Sequence, residues 1–218
     1  MTYTCDLVVP CRDEGPALSD LLSRVPDIFS VIVVDNGSRD DTAAVARRLG
    51  AKVVVEPTPG YGAAVQAGVD AATAELVAVI DGDGTIDPMD LVPMVAAVAR
   101  GDCTLAVGRR RPTRAGLVPL PAVLANAAVT RWLRHKGLDV HDIAPARVCR
   151  RADLLGLDLV DRRFGYPVEL LSNAAAAGWS VREYDVTYGP RAAGTRSKVS
   201  GSLRGSVLAA ADFVKVLS

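Results

Sequence analysis

Apolar residues along this chain come in short runs closed by polar or glycine-rich residues, and the runs alternate with stretches of helical period. Leu7-Val8-Val9-Pro10, Val31-Ile32-Val33-Val34, Val53-Val54-Val55 and Leu76 to Ile80 are continuous and short, the pattern of strands buried on both faces. Between the first two, Leu18, Leu21, Leu22 and Val25 recur at helical spacing and Pro26 ends the helix. A second helix, capped by Asp40 or Asp41, runs to about Leu49 and is closed by Gly50. A third is led in by Gly60-Tyr61-Gly62 and runs through Ala72. Four strand–helix units within about 90 residues imply right-handed crossovers and a largely parallel sheet. Each strand closes on polar or glycine-rich residues, which that topology gathers at one sheet edge, where α/β folds bind ligands.

The second half is less regular. Met89 to Arg100 reads as an amphipathic helix and Thr104 to Val107 as a strand, with the basic run Gly108-Arg109-Arg110-Arg111 after it. Thr113 to Gly137 pairs apolar Leu117, Val118, Leu120, Val123 and Leu124 with Arg131, Arg134, His135 and Lys136. This is a peripheral helix packed on the core or an element lying on anionic lipid, and Pro119 and Pro121 make the helix start after them. Phe164 to Leu171 opens a helix that continues to Ala177 and Gly178 ends it; Val181 to Tyr188 is a last strand. A mobile loop spans 189–201, and Ser202 to Leu217 reads as an amphipathic helix.

Charge sharpens this division. Net charge is zero, yet residues 1–108 carry 7 Lys/Arg against 16 Asp/Glu, and residues 109–163 carry 12 against 5. An acidic half able to hold a metal precedes a basic stretch able to hold an anion. The absence of a global basic excess argues against nucleic acid as a partner. The 218 residues suffice for a single α/β domain. Cys5, Cys11, Cys103 and Cys149 lack metal-ligand spacing and read as packed, reduced thiols of a cytoplasmic protein. No signal peptide is expected, because Asp6 and Arg12 to Glu14 interrupt the apolar opening, and no run reaches the length of a membrane span. Membrane contact, if any, is expected at the inner face, from the surface.

The chemistry concentrates at Val77-Ala78-Val79-Ile80-Asp81-Gly82-Asp83-Gly84, a buried strand stopping on two carboxylates. Asp-Gly also makes simple turns. At a strand's carboxyl end, however, two hard oxygen donors suit Mg²⁺ or Mn²⁺ shared with a diphosphate.

Four blocks in order, Val9-Pro10-Cys11-Arg12-Asp13-Glu14, Val33-Val34-Asp35-Asn36-Gly37-Ser38-Arg39-Asp40-Asp41-Thr42, Gly60-Tyr61-Gly62-Ala63-Ala64-Val65-Gln66-Ala67-Gly68 and Asp81-Gly82-Asp83, resemble family 2 glycosyltransferases. A fifth, Tyr188-Gly189-Pro190-Arg191 with Gly194, Ser197 and Lys198, resembles the subgroup of polyprenyl-phosphate mannosyl- and glucosyltransferases. The resemblance implies a GT-A fold: a single α/β domain with a Rossmann-like, mostly parallel sheet flanked by helices. Residues 1–108 would form its nucleotide-binding half and 109–218 its acceptor half.

The resemblance also implies roles. Pro10, Arg12 and Glu14 would border the base and ribose, Asp35 would accept a hydrogen bond from the base, and Asn36, Gly37 and Ser38 would shape that wall. Gly62 and Ala63 would let the backbone approach the nucleotide, as would Gly82 beside the metal. Asp83 would ligate the metal with Asp81 beside it, at the metal or on the ribose. Arg109 is matched to the family's Gly-Ser-Arg element, ahead of Arg110 and Arg111, and with Arg191 and Lys198 would hold phosphate. Pro145-Ala146-Arg147 stands for the usual Ser-Gly-Phe-Arg and keeps only the arginine, which would contact acceptor and donor sugar as a catalytic residue; Arg12-Asp13-Glu14 stands for Tyr-Asn-Glu, and Asn36 for a frequent second aspartate.

The implied reaction is inverting transfer of a hexose from UDP-glucose or GDP-mannose to polyprenyl phosphate, or to the hydroxyl of a small-molecule alcohol. An ionised phosphate needs no base. An alcohol does, and Asp142 and Glu169 are the candidates. A sugar nucleotidyltransferase would carry a basic glycine-rich loop after the first strand, where this chain has Pro10 to Glu14, and a dinucleotide oxidoreductase would need G-x-G-x-x-G there.

Overall fold

A computed structural model describes residues 4–192. β1 (Cys5–Cys11), β2 (Phe29–Asp35), β3 (Lys52–Val55) and β4 (Leu76–Val79) are joined by α1 (Gly15–Ser23), α2 (Thr42–Arg48) and α3 (Tyr61–Ala71). A 3₁₀ turn (Pro88–Leu91) and α4 (Val92–Arg100) lead to β5 (Leu105–Pro112). Then come α5 (Leu120–His135), β6 (Arg147–Arg150), α6 (Arg151–Leu155), α7 (Tyr166–Ala176) and β7 (Val181–Tyr188).

The strands form one seven-stranded sheet in the order β3-β2-β1-β4-β6-β5-β7. It is parallel except at β6, which runs antiparallel to both β4 and β5. β1 lies inside the sheet between β2 and β4, and all seven of its residues are buried, as its continuous apolar run requires. Its alternate residues Leu7, Val9 and Cys11 pack with Leu18 and Leu21 of α1 and with Met94 and Val98 of α4. Val8, on the other face, packs with Val65 and Val69 of α3 and, further along that layer, with Leu133 of α5 and Leu170 of α7. Asp6 is a buried carboxylate that accepts the backbone N–H groups of Thr73 and Ala74, fixing the turn from α3 into β4. The four cysteines are buried and free. Burial pushes the thiols of Cys5, Cys11 and Cys149 up, so they stay protonated and inert.

Several boundaries differ from the sequence expectation. α5 does not wait for both prolines but starts at Leu120 with Pro121 in its first turn, where the missing N–H has no helical partner to lose; β6 and α6 follow where no element was expected. The helix expected over Met89–Arg100 is split, because Pro93 offers no N–H and fits only at the start of α4. β5 does not stop at Val107 but runs on through Arg109, Arg110 and Arg111 to Pro112, since β7 pairs with all eight of its residues. The expected loop at 193–201 and the helix from Ser202 lie outside the described residues.

Candidate active site

The carboxyl ends of β1, β2 and β4 meet at one edge, and their loops are stitched together. After β1, Asp13 takes a left-handed conformation (φ 54°), its N–H donates to Ser38 Oγ, and its Oδ1 accepts the N–H of Arg39. Thr42 Oγ1 accepts from the N–H groups of Glu14 and Gly15, while Asp40 accepts the N–H of Thr42 and of Gly15. Of the two candidate caps for α2, Asp41 takes the N-cap position without a side-chain bond, and the Asp40 carboxylate before it accepts the first helical N–H. Asp35 Oδ1 accepts the N–H of Ser38, closing the turn through Gly37 (φ 76°). Pro10 lies within β1 and Arg12 is exposed at the edge.

Asn36 is nearly buried and its amide is spent within the fold. Its Nδ2 donates to the carbonyls of Glu56 (2.9 Å) and Thr58 (2.7 Å), and its Oδ1 accepts from the N–H of Gly60 (2.9 Å). The side chain clamps the strand-to-helix loop ahead of α3. An aspartate could not donate to those two carbonyls, which accounts for asparagine where the family often has an acid.

The glycines expected to admit a nucleotide are occupied by the chain itself. A Cβ on Gly62 would lie 2.4 Å from the Asp161 carbonyl oxygen, and the N–H groups of Gly62 and Ala63 donate to the carbonyls of Arg163 and Arg162. A Cβ on Gly82 would lie 2.3 Å from Cys11 Sγ and 2.7 Å from Glu14 Oε2. Both positions need glycine for close packing, Gly62 at the start of α3 against the 161–162 backbone and Gly82 against the loop after β1.

Beyond β4, Asp83 is buried. Its Oδ1 accepts from the N–H (3.0 Å) and Oγ1 (2.7 Å) of Thr85, which leaves Oδ2 to face a cation, here the Arg191 guanidinium at 2.6 Å. Arg191 also reaches Glu14 at 3.6 Å. The segment after β7 is strapped to the same loop, with Gly189 N–H donating to the Thr85 carbonyl and Ala192 N–H to that of Asp83. Burial, and after it the neighbouring Asp83 charge, push Asp81 up to about 6.

The donor set fits a divalent ion shared with a substrate. Asp81 and Asp83 offer hard oxygens, one of them already turned to a positive charge, and among the described residues no group of three or more His, Cys, Asp or Glu could enclose a metal alone.

Asp142 and Glu169, the two carboxylates considered as bases, are both engaged. Asp142 is buried and accepts three hydrogen bonds from Arg110: from its N–H (3.0 Å), Nε (2.8 Å) and Nη2 (2.6 Å). Glu183 holds the same loop by accepting the N–H groups of His141 and Asp142. Glu169 sits in the first turn of α7 and accepts the N–H groups of Val160 (3.0 Å) and Asp161 (2.8 Å), shaping the loop that packs on Gly62.

The arginine run is ordered by strand alternation. Arg109, on the side of Val107, pairs with Glu183 at 3.8 Å. Arg110 takes the opposite side, stacks over Tyr188 (5.7 Å to the ring centroid) and shares its field with Asp81. Because β5 extends past Val107, the two arginines fall on opposite faces: the expected Arg109 is placed against Glu183, and Arg110 against Asp142 and Tyr188.

Residues 6–154 match the family described as Glycosyl transferase family 2. The chain belongs to this family. A Mycobacterium tuberculosis relative named uncharacterized glycosyltransferase Rv0539 is 55% identical over 215 residues, 97% of each chain. The polyprenol monophosphomannose synthase of Mycolicibacterium smegmatis is 31% identical over 220 residues, covering 90% of this chain and 81% of that one. Among solved structures, M. tuberculosis glucosyl-3-phosphoglycerate synthase with Mn²⁺, UDP and phosphoglyceric acid superposes with a TM-score of 0.77 over 99% of this chain and 77% of that one, at 22% identity. The fold is that of the GT-A glycosyltransferases.

Of the residues expected at the site, the structure brings Glu14, Asp83 and Arg191 together, while Lys198 lies outside the described residues. Sequence reasoning misses Tyr61, Tyr166, Tyr188 and Thr85. Tyr61 stands inside one of the family blocks, between two glycines, but an aromatic side chain there carries no chemical signal. Arg147, expected to be catalytic, is 3% exposed, and its Nε donates to the Ala144 carbonyl at 2.6 Å.

Proposed function

We propose that this family 2 enzyme moves a hexose from a nucleotide sugar, with inversion, to an acceptor that arrives as an ionised phosphate, polyprenyl phosphate first. One observation carries the choice of acceptor. Both carboxylates considered as bases are committed to structural partners, Asp142 to the Arg110 guanidinium, which it neutralises, and Glu169 to two backbone N–H groups, so neither is free to take a proton from a hydroxyl. A hydroxyl acceptor needs a proton acceptor; an ionised phosphate does not. The name of the mycolicibacterial relative supports the same class.

In this reading residues 1–108 hold the donor and residues 109–218 the acceptor. Asp83 and Asp81 would hold Mg²⁺ or Mn²⁺, which when bound neutralises charge on the departing diphosphate. Arg191, already at Asp83 and Glu14, adds positive charge beside the same group. Asp35 borders the base. No described helix is long and apolar enough to cross a membrane. The N-terminal half of α5 nevertheless exposes Leu120 (69%), Val123 and Leu124 (62%), with Arg131, Arg134 and Lys136 exposed further along, a surface suited to anionic lipid around an embedded acceptor.

Calorimetry with UDP-glucose and GDP-mannose in Mn²⁺, Mg²⁺ or EDTA, on the wild type and Asp83→Asn, tests the donor half. Metal-dependent binding of one donor, lost in the variant, is expected. Transfer to polyprenyl phosphate but not to the free polyprenol or other alcohols tests the acceptor half. Equal turnover with a neutral alcohol would overturn it.

A further inference from the structure

Beneath the cleft lies a group of polar side chains that the reaction above does not use. Arg147 is the first residue of β6 and sits opposite Val79, the last residue of β4, so its side chain enters the layer below the Asp81 loop. Apart from Nε on the Ala144 carbonyl, this buried guanidinium is poorly matched: Nη1 is inaccessible and has no hydrogen-bond partner, and no carboxylate forms an ion pair with it among the described residues. The Tyr61 ring lies under it, 5.6 Å to the centroid. The hydroxyls of Tyr61 and Tyr166 are also buried and without a partner. These three groups make up all but one of the buried, unpartnered side-chain polar atoms among the described residues.

Burying an unpaired cation is costly, and orphaned buried hydroxyls add to the cost. A cluster of such groups in one place calls for a function. Asp81 follows two residues after Val79, opposite which Arg147 sits, and both the Arg147 and Asp81 charges act on the Tyr61 hydroxyl, which burial holds protonated. A phenol has one proton to give and lone pairs to receive with. It can donate to the Asp81 carboxylate while accepting from Arg147 Nη1. Tyr61 is also rigidly seated, since the next two N–H groups along α3 are bonded to the 162 and 163 carbonyls.

We propose that Tyr61 and Arg147 are positioning residues that orient the Asp81 carboxylate from behind, the Tyr61 hydroxyl acting as the bridge. This rests on the reading of Asp81 as a metal-site carboxylate. Arg147 then acts through Tyr61 on the site and touches no substrate.

The test measures Mn²⁺ affinity in the presence of UDP, by the electron paramagnetic resonance of free Mn²⁺, on the full chain carrying Tyr61→Phe, Arg147→Met or both. UDP affinity in EDTA serves as the control. Loss of an outer partner of a metal ligand typically lowers metal affinity about 10–100-fold. Tyr61→Phe should lower it about tenfold and leave UDP binding in EDTA unchanged, and Arg147→Met should have no added effect on top of it. Unchanged Mn²⁺ affinity in Tyr61→Phe, or multiplying effects in the double variant, overturns the bridge. If Arg147→Met does not fold, Tyr61→Phe with Tyr166→Phe as its comparison decides, because removing the second hydroxyl should cost less. A wild type that binds UDP equally well with and without metal would instead remove the metal reading itself, and the bridge with it.

Discussion

Replacing Asn36 with aspartate changes one atom and reverses two contacts. The Nδ2 group now donates to the Glu56 and Thr58 carbonyls in a site that is 8% exposed. In Asn36→Asp both hydrogen bonds are lost, each about 1 kcal/mol net, and an anionic oxygen faces two carbonyl oxygens out of reach of bulk water. The lost stability comes to about 3 kcal/mol, equivalent to a fall in Tm of roughly 6–12 °C for a chain of this size. The sign of the pH dependence is also set. The introduced carboxyl is partly desolvated against acceptors, so its pKa in the folded state lies above the unfolded value. Its charged form is what destabilises, so the deficit is full above the folded pKa and shrinks as pH falls, when the acid regains an O–H donor. Urea denaturation of both proteins at pH 7.5 and pH 4.5 measures this. A deficit below 1 kcal/mol at pH 7.5, or one that does not shrink on acidification, would refute the assignment of Asn36 as a clamp on the loop before α3.

Three further outcomes are expected. Arg191→Gln should bind Mn²⁺ alone about two- to fivefold more tightly, because a competing cation leaves Asp83, in line with roughly 0.2–1 kcal/mol for an ion pair that water reaches; its affinity for a nucleotide sugar should fall, and calorimetry reads both. Glu169→Gln should lose roughly 1–3 kcal/mol of stability as an amide replaces an oxygen bonded to a backbone N–H, yet keep turnover within a few-fold, whereas removal of a base would cost about 10²–10⁴. Asp81, raised by burial to about 6, must be ionised to serve a metal. Mn²⁺ affinity should therefore be flat above pH 7 and fall about tenfold per unit below pH 6, as one proton competes with the metal.

Much of this fold is legible from apolar runs alone. β1, β2 and β4 have continuous apolar runs because neighbours cover them, whereas β3, read from its run as buried on both faces, is the sheet's edge with Val55 60% exposed; each helix between the strands carries its own stop in Pro26, Gly50 or the turn after Ala72. What the runs cannot reveal is set by distant partners. β5 extends past its apolar part only because β7, some 75 residues later, pairs with it to Pro112, and that extension sends Arg109 to Glu183 and Arg110 to Asp142. Gly62 advertises a close approach without saying by what, and the answer, the 161–163 backbone, lies 100 residues away. Asp142 and Glu169 likewise look like free acids until Arg110 and the 160–161 amides are in place.

The reversed strand β6 has a consequence for how such a protein can change. β5 leaves the sheet at the cleft edge, and β6, running the other way beside it, starts at that same edge. Residues 113–146, including α5 and the loop of Asp142, thus depart and return through adjacent doorways. The outward parts of this segment can vary in length and character without shifting the pairing of β1 to β4. What any variant must keep is its inner side, Leu133 and Val140 in the core and Asp142 against Arg110, which anchors the excursion to the sheet it leaves.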